Sequence, residues 1–86
     1  MNEKTDNNQK LILVAEDDDI SYALLEVFLS RNYRLLRSVN GQQTIEVFKQ
    51  NPDIALILMD LKMPIMDGYD ATREIKKMNE NIPVIA

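Results

Sequence analysis

The chain has 86 residues, a formal net charge of −4, 45% hydrophobic and 28% charged residues, a profile that fits one soluble globular domain. It contains neither cysteine nor histidine, which excludes disulfides, thiolate or imidazole metal sites, histidine acid–base catalysis and a histidine phosphorylation site. Acidic balance with scattered Lys and Arg argues against nucleic-acid binding. No apolar run nears the roughly 20 residues of a membrane span, and Gly41 and Gly68 alone cannot build a glycine-rich phosphate loop.

Residues 1–10 are polar, lack a signal-peptide core and read as a tail or linker. A cytoplasmic location fits this and the lack of cysteine. Residues 11–86 read as the domain. Leu11 to Ala15 is a continuous apolar run, the pattern of a strand covered on both faces. Asp19 is a candidate cap for a helix over 20–31, with Ala23, Leu24, Val27 and Phe28 inward and Asn32 as its stop. Tyr33 to Ser38 is a shorter, more polar strand suited to a sheet edge. Asn40-Gly41 turns into a helix over 41–50, with Thr44, Ile45 and Phe48 inward, ended by Asn51-Pro52.

Ile54 to Met59 is the second fully apolar strand, and Met63-Pro64-Ile65-Met66 is a loop. Asp67 can cap a third helix over 68–78, with Asp70 in its first turn and a stripe of Ala71, Ile75 and Met78. Ile82 to Ala86 begins a further strand. Strands alternating with helices imply an α/β fold with a parallel sheet and right-handed crossovers.

Both fully apolar strands end in acid: Glu16-Asp17-Asp18-Asp19 after the first, Asp60 after the other. In open parallel sheets, ligands lie beyond the carboxyl ends of the strands where the winding reverses. With strand order 2-1-3-4 that point falls between the two acidic ends. Carboxylates gathered there bind a hard divalent cation, and one can accept a phosphoryl group. Taken singly, an acidic run is more often a solvated loop and Asp60 an ordinary turn residue. Arg31, Arg34 and Arg37 read as a solvated surface, and the five methionines as core and loop filler.

Val14-Ala15-Glu16-Asp17-Asp18, Leu58-Met59-Asp60-Leu61-Lys62-Met63-Pro64-Ile65-Met66-Asp67-Gly68 and Pro83-Val84-Ile85-Ala86 together resemble a response-regulator receiver domain of two-component signalling. The resemblance covers residues 11–86, about the first two thirds of a receiver. It implies a flavodoxin-like doubly wound sheet of order 2-1-3-4, with the family's fifth strand and last two helices absent from this chain. It also implies that Asp60 accepts a phosphoryl group from a histidine kinase or phosphotransfer domain. Mg2+ would be held by Asp17, Glu16, Asp60 and the backbone carbonyl of Lys62, and Pro64 and Gly68 would shape the following loop. The family's phosphoryl-contacting Thr or Ser, its Lys and its aromatic switch would fall beyond Ala86. Gly68-Tyr69-Asp70-Ala71-Thr72-Arg73-Glu74-Ile75 is most similar to receivers of hybrid sensor kinases.

Such a module phosphorylates itself and turns over no metabolite. Two other readings compete. One is a phosphorylation-independent interaction module of the same fold. The other is an aspartyl phosphohydrolase, disfavoured because Lys62 stands where those enzymes carry a second Asp. A bare strand-four edge would also favour a homodimer.

Overall fold

A computed structural model of the protein describes residues 9–86, so the expected tail or linker lies almost wholly outside the described residues. The elements are β1 (Lys10–Ala15), α1 (Asp19–Leu29), β2 (Tyr33–Ser38), α2 (Gly41–Gln50), β3 (Ile54–Met59), α3 (Gly68–Met78) and β4 (Val84–Ile85). The four strands form one parallel sheet in the order β2-β1-β3-β4. The expected α/β class, strand order and edge position of β2 are therefore present.

Side chains alternate across a strand. Leu11, Leu13 and Ala15 of β1 join Ile57 and Met59 of β3 in a core with Ile45, Phe48, Ala71 and Ile75, so α2 and α3 share this face. Ile12 and Val14, equally buried, point to the opposite face. The expected inward residues of α2, Thr44, Ile45 and Phe48, are all buried.

Helix α1 departs from expectation. Its cap is Asp18, whose carboxylate accepts from the Ser21 N–H at 2.8 Å, and the helix begins at Asp19. It ends at Leu29 with Ser30 as C-cap, before Asn32. Ala23, Leu24, Val27 and Phe28 point outward, Phe28 with 74% of its surface exposed. The half-buried residues are Ser21, Tyr22, Leu25 and Leu29. Apolar residues occupy both sides of this helix, so helical periodicity allows two stripes, and the sheet takes the narrower one built on i, i+4 and i+8.

Two smaller differences lie in the last third. Met78 is mostly outside the α3 stripe, where Gly68, Ala71 and Ile75 are buried. The last strand is confined to Val84–Ile85. Pro83 has no N–H to give a ladder, although its carbonyl accepts from Ile57 N at 3.0 Å. Ile82 is buried in the core from a loop.

Two buried hydroxyls tie β2 to α2. Ser38 Oγ lies 2.6 Å from Thr44 Oγ1, which itself donates to the Asn40 carbonyl at 2.7 Å. Thr44 has one hydroxyl proton, so Ser38 is the donor of the pair. Thr44→Val should leave the Ser38 proton without an acceptor and cost about 1–3 kcal/mol, whereas Ser38→Ala should cost about 1 kcal/mol. Urea denaturation of the two variants measures the difference.

Candidate functional site

The sheet ladder runs one residue past the ends of β1 and β3. Glu16 N donates to Ser38 O at 2.9 Å, and Asp60 N donates to Ala15 O at 2.9 Å. These bonds fix the main chain of both residues where the two strands end side by side, with Ala15 paired to Met59. Oxygen atoms of Glu16, Asp17 and Asp60 lie within 4.8 Å of one another; Glu16 and Asp60 are half-buried and Asp17 is exposed. They border an open cavity of about 710 Å3 that Lys62 also lines, with Leu25 and Leu58 on its apolar wall. All four residues expected at the site from the sequence are thus brought to one place.

The turns on either side are locally bonded. Asp18 N donates to Glu16 Oε2 at 3.3 Å, and Lys62 N donates to Asp60 Oδ1 at 3.0 Å. The Ser21 N–H and hydroxyl hold the Asp18 carboxyl below its ordinary value of 3.8. Glu16 is shifted the other way. Burial, then the neighbouring carboxylates of Asp60 and Asp17, raise it above its ordinary 4.5 against the opposing Asp18 N–H.

The loop after Asp60 is tightly shaped. Met66 N donates to Pro64 O at 2.9 Å across Ile65, which has φ of 70°. This γ-turn is a strained form, unusual for a β-branched residue. Asp67 then caps α3 by accepting from Asp70 N at 2.9 Å, as expected. A Cβ on Gly68 would stand 2.6 Å from the Asp60 carbonyl oxygen. A Cβ on Gly41 would collide with the Met66 carbonyl. Both glycines are sites of close backbone approach, and through them α2 and α3 hold the loop that follows Asp60.

Arg37 was expected on a solvated surface, but it is half-buried against the β1–α1 turn. Its Nε donates to the Glu16 carbonyl at 3.0 Å. The available sequence signal was its place one residue before the end of β2, in register with Val14.

A parallel sheet of order 2-1-3-4 with a carboxylate cluster at its switch point is an arrangement of the flavodoxin-like α/β class. Residues 12–86 match the response regulator receiver domain, and the chain belongs to that family. It is 35% identical over 86 residues to the autoinducer 1 sensor kinase/phosphatase LuxN of Vibrio harveyi, covering 99% of this chain and 10% of LuxN. It is 37% identical over 79 residues to sporulation initiation phosphotransferase F of Bacillus subtilis, covering 91% of this chain and 62% of that protein. Among solved structures, a receiver domain from Clostridium thermocellum superposes with a TM-score of 0.81 at 28% identity. That match covers 86% of this chain and 60% of the other. The chain therefore spans less than two thirds of these relatives. Receiver domains are signalling modules of two-component systems. No helix among the described residues is long and apolar enough to cross a membrane.

Ile65→Asn should stabilise the protein by about 1 kcal/mol, because Asn tolerates the left-handed region better than a β-branched residue; the midpoint of urea denaturation reads this. Glu16 gives a second expectation. A carboxyl raised by folding adds stability that is full below its ordinary 4.5 and is lost as pH rises through the raised value. At neutral pH without divalent cations, ionised Glu16 is a net cost, and Glu16→Gln should raise the melting temperature. That gain should vanish near pH 3, where the wild-type side chain is also neutral.

Proposed function

We propose that this receiver accepts a phosphoryl group on Asp60 from the phosphohistidine of a histidine kinase or phosphotransfer domain, with Mg2+ as cofactor. The observation that carries this reading is the meeting of three carboxylates at the ends of β1 and β3, with Asp60 anchored to β1 by its own N–H.

The donor set fits the cation. Oxygen ligands of octahedral Mg2+ lie between about 3.0 Å and about 4.2 Å apart, and the three carboxylates offer oxygens within 4.8 Å of one another, a separation that closing of the side chains on an ion would reduce to that range. Glu16, Asp17 and Asp60, with the Lys62 carbonyl, would hold the ion. Once bound, it neutralises the clustered carboxylates and the phosphoryl oxygens. Asp60 Oδ1 is engaged by the Lys62 N–H, so we assign the attack to Oδ2. The Oδ2–P bond forms as the P–N bond breaks, and the imidazole nitrogen leaves with the electron pair and takes up a proton. Phosphoryl transfer is limited by positioning and charge more than by covalent assistance, which suits a site built from ladder-anchored residues.

A cytoplasmic setting belongs to the same proposal. Pairing of two copies through the β4 edge, Val84–Ile85, belongs to it as well.

Intact mass before and after incubation with Mg2+ and acetyl phosphate tests the reading. The wild type should gain one phosphoryl group, and Asp60→Asn should gain none. No gain by the wild type in the full chain would favour the phosphorylation-independent interaction module. Separately, millimolar MgCl2 should raise the melting temperature more than NaCl of equal ionic strength, and Glu16→Gln should blunt that rise. Equal shifts in the two salts would sink the cation site.

A further inference from the structure

Arg37 departs from β2 beside the acidic site and reaches the turn that carries it. Its Nε donates to the main-chain carbonyl of Glu16 at 3.0 Å. Its guanidinium carbon sits 4.7 Å from the centroid of the Tyr22 ring in α1. Its Nη2 lies 2.9 Å from Asp19 Oδ1. That last contact is an ion pair without hydrogen-bond alignment, since Nη2 is buried with no hydrogen-bond partner. Asp19 is 90% exposed, so the pair itself is weak.

The consequence for Glu16 is specific. Its N–H is held by the Ser38 carbonyl and its C=O by Arg37. Both main-chain groups are therefore bonded to β2, from successive residues of one strand. The peptide that leads from Glu16 to Asp17 is fixed at its oxygen end. Arg34, on the same strand, serves a different place: it bonds the Gln9 carbonyl and pairs with Asp53, away from the acidic cluster.

We infer that Arg37 is a positioning residue for the acidic site, fixing the Glu16–Asp17 main chain from β2 so that both carboxylates face a divalent cation together with Asp60. This rests on the cation reading proposed above. Charge alone makes the opposite forecast. A cation near the cluster repels Mg2+, so removing Arg37 should tighten binding if the residue acts only through its charge. Positioning predicts weaker binding, and the sign separates the two.

Calorimetric titration of the full chain with Mg2+ alone, comparing wild type, Arg37→Lys, Arg37→Gln and Arg34→Gln, is the test. Lys keeps the charge and loses the planar fork. Arg37→Lys and Arg37→Gln should both weaken Mg2+ binding by about tenfold, the low end for loss of a partner that orients a metal ligand. Arg34→Gln should bind as wild type does. Wild-type or tighter affinity in either Arg37 variant would overturn the inference alone. A wild-type protein that takes up no Mg2+ would overturn the cation reading and the inference together. If the variants do not fold, the wild type still decides by NMR. The Arg37 Nε–H should exchange slowly and shift on Mg2+ addition, and a fast-exchanging, unresponsive signal refutes the bond to Glu16.

Discussion

Two main-chain hydrogen bonds organise the functional end of the sheet: Asp60 N to Ala15 O and Glu16 N to Ser38 O. Each extends a parallel ladder by one residue beyond its strand. Because neighbouring parallel strands share a direction, their carboxyl ends come together, and a residue just past one end sits beside a residue just past the next. The register that aligns Ala15 with both Ser38 and Met59 sets which residues those are. A slip of one residue would exchange the side chains packed on the two buried faces of β1 and disturb the fit on both. Burial of Leu11, Leu13 and Ala15 on one side and Ile12 and Val14 on the other therefore fixes the acidic site as well.

That arrangement holds like charges close together. Two unit charges about 4 Å apart repel by roughly 4 kcal/mol at an effective dielectric near 20. Burial first, and then this opposition from Asp60 and Asp17, raise the proton affinity of Glu16. The surrounding backbone resists relief by movement. Gly68 lets the start of α3 close on the Asp60 carbonyl, and Gly41 lets α2 close on the Met66 carbonyl. Ile65 is held in an unfavourable γ-turn between them. Packing on the α2–α3 face thus sustains a loop and a charge cluster that neither local propensity nor electrostatics would favour.

The strands, the order of elements and the acidic residues were legible because their signals are strong and local. Continuous apolar runs mark covered parallel strands, and acid after two such runs is brought together where the winding of the sheet reverses. The buried face of α1 was not legible. Ile20, Leu24, Val27 and Phe28 make the wider apolar stripe, yet the sheet covers Leu25 and Leu29. Choosing between stripes requires the crossover geometry, which begins at the Asp18 cap. The close approaches at Gly41 and Gly68 were partly visible as turn residues, but the atoms they admit come from segments distant in sequence. Arg37 was misread for the same reason. An arginine in an edge strand looks solvated until the neighbouring turn is placed against it.

The three carboxylates are not held alike. Glu16 and Asp60 are half-buried with ladder-bound main chains, whereas Asp17 is exposed and one step further from the strand. A site of three rigid ligands would be tuned to one fixed geometry. Mg2+ demands near-ideal octahedral ligands yet keeps several waters, so it is better served by few protein oxygens and room for adjustment. On the proposed reading, two carboxylates on anchored main chains would define where an ion and an incoming phosphoryl group sit, and the exposed third could move to complete the shell. Anchoring Glu16 through Arg37 then matters beyond Glu16 itself, because Asp17 inherits its starting position from the same peptide.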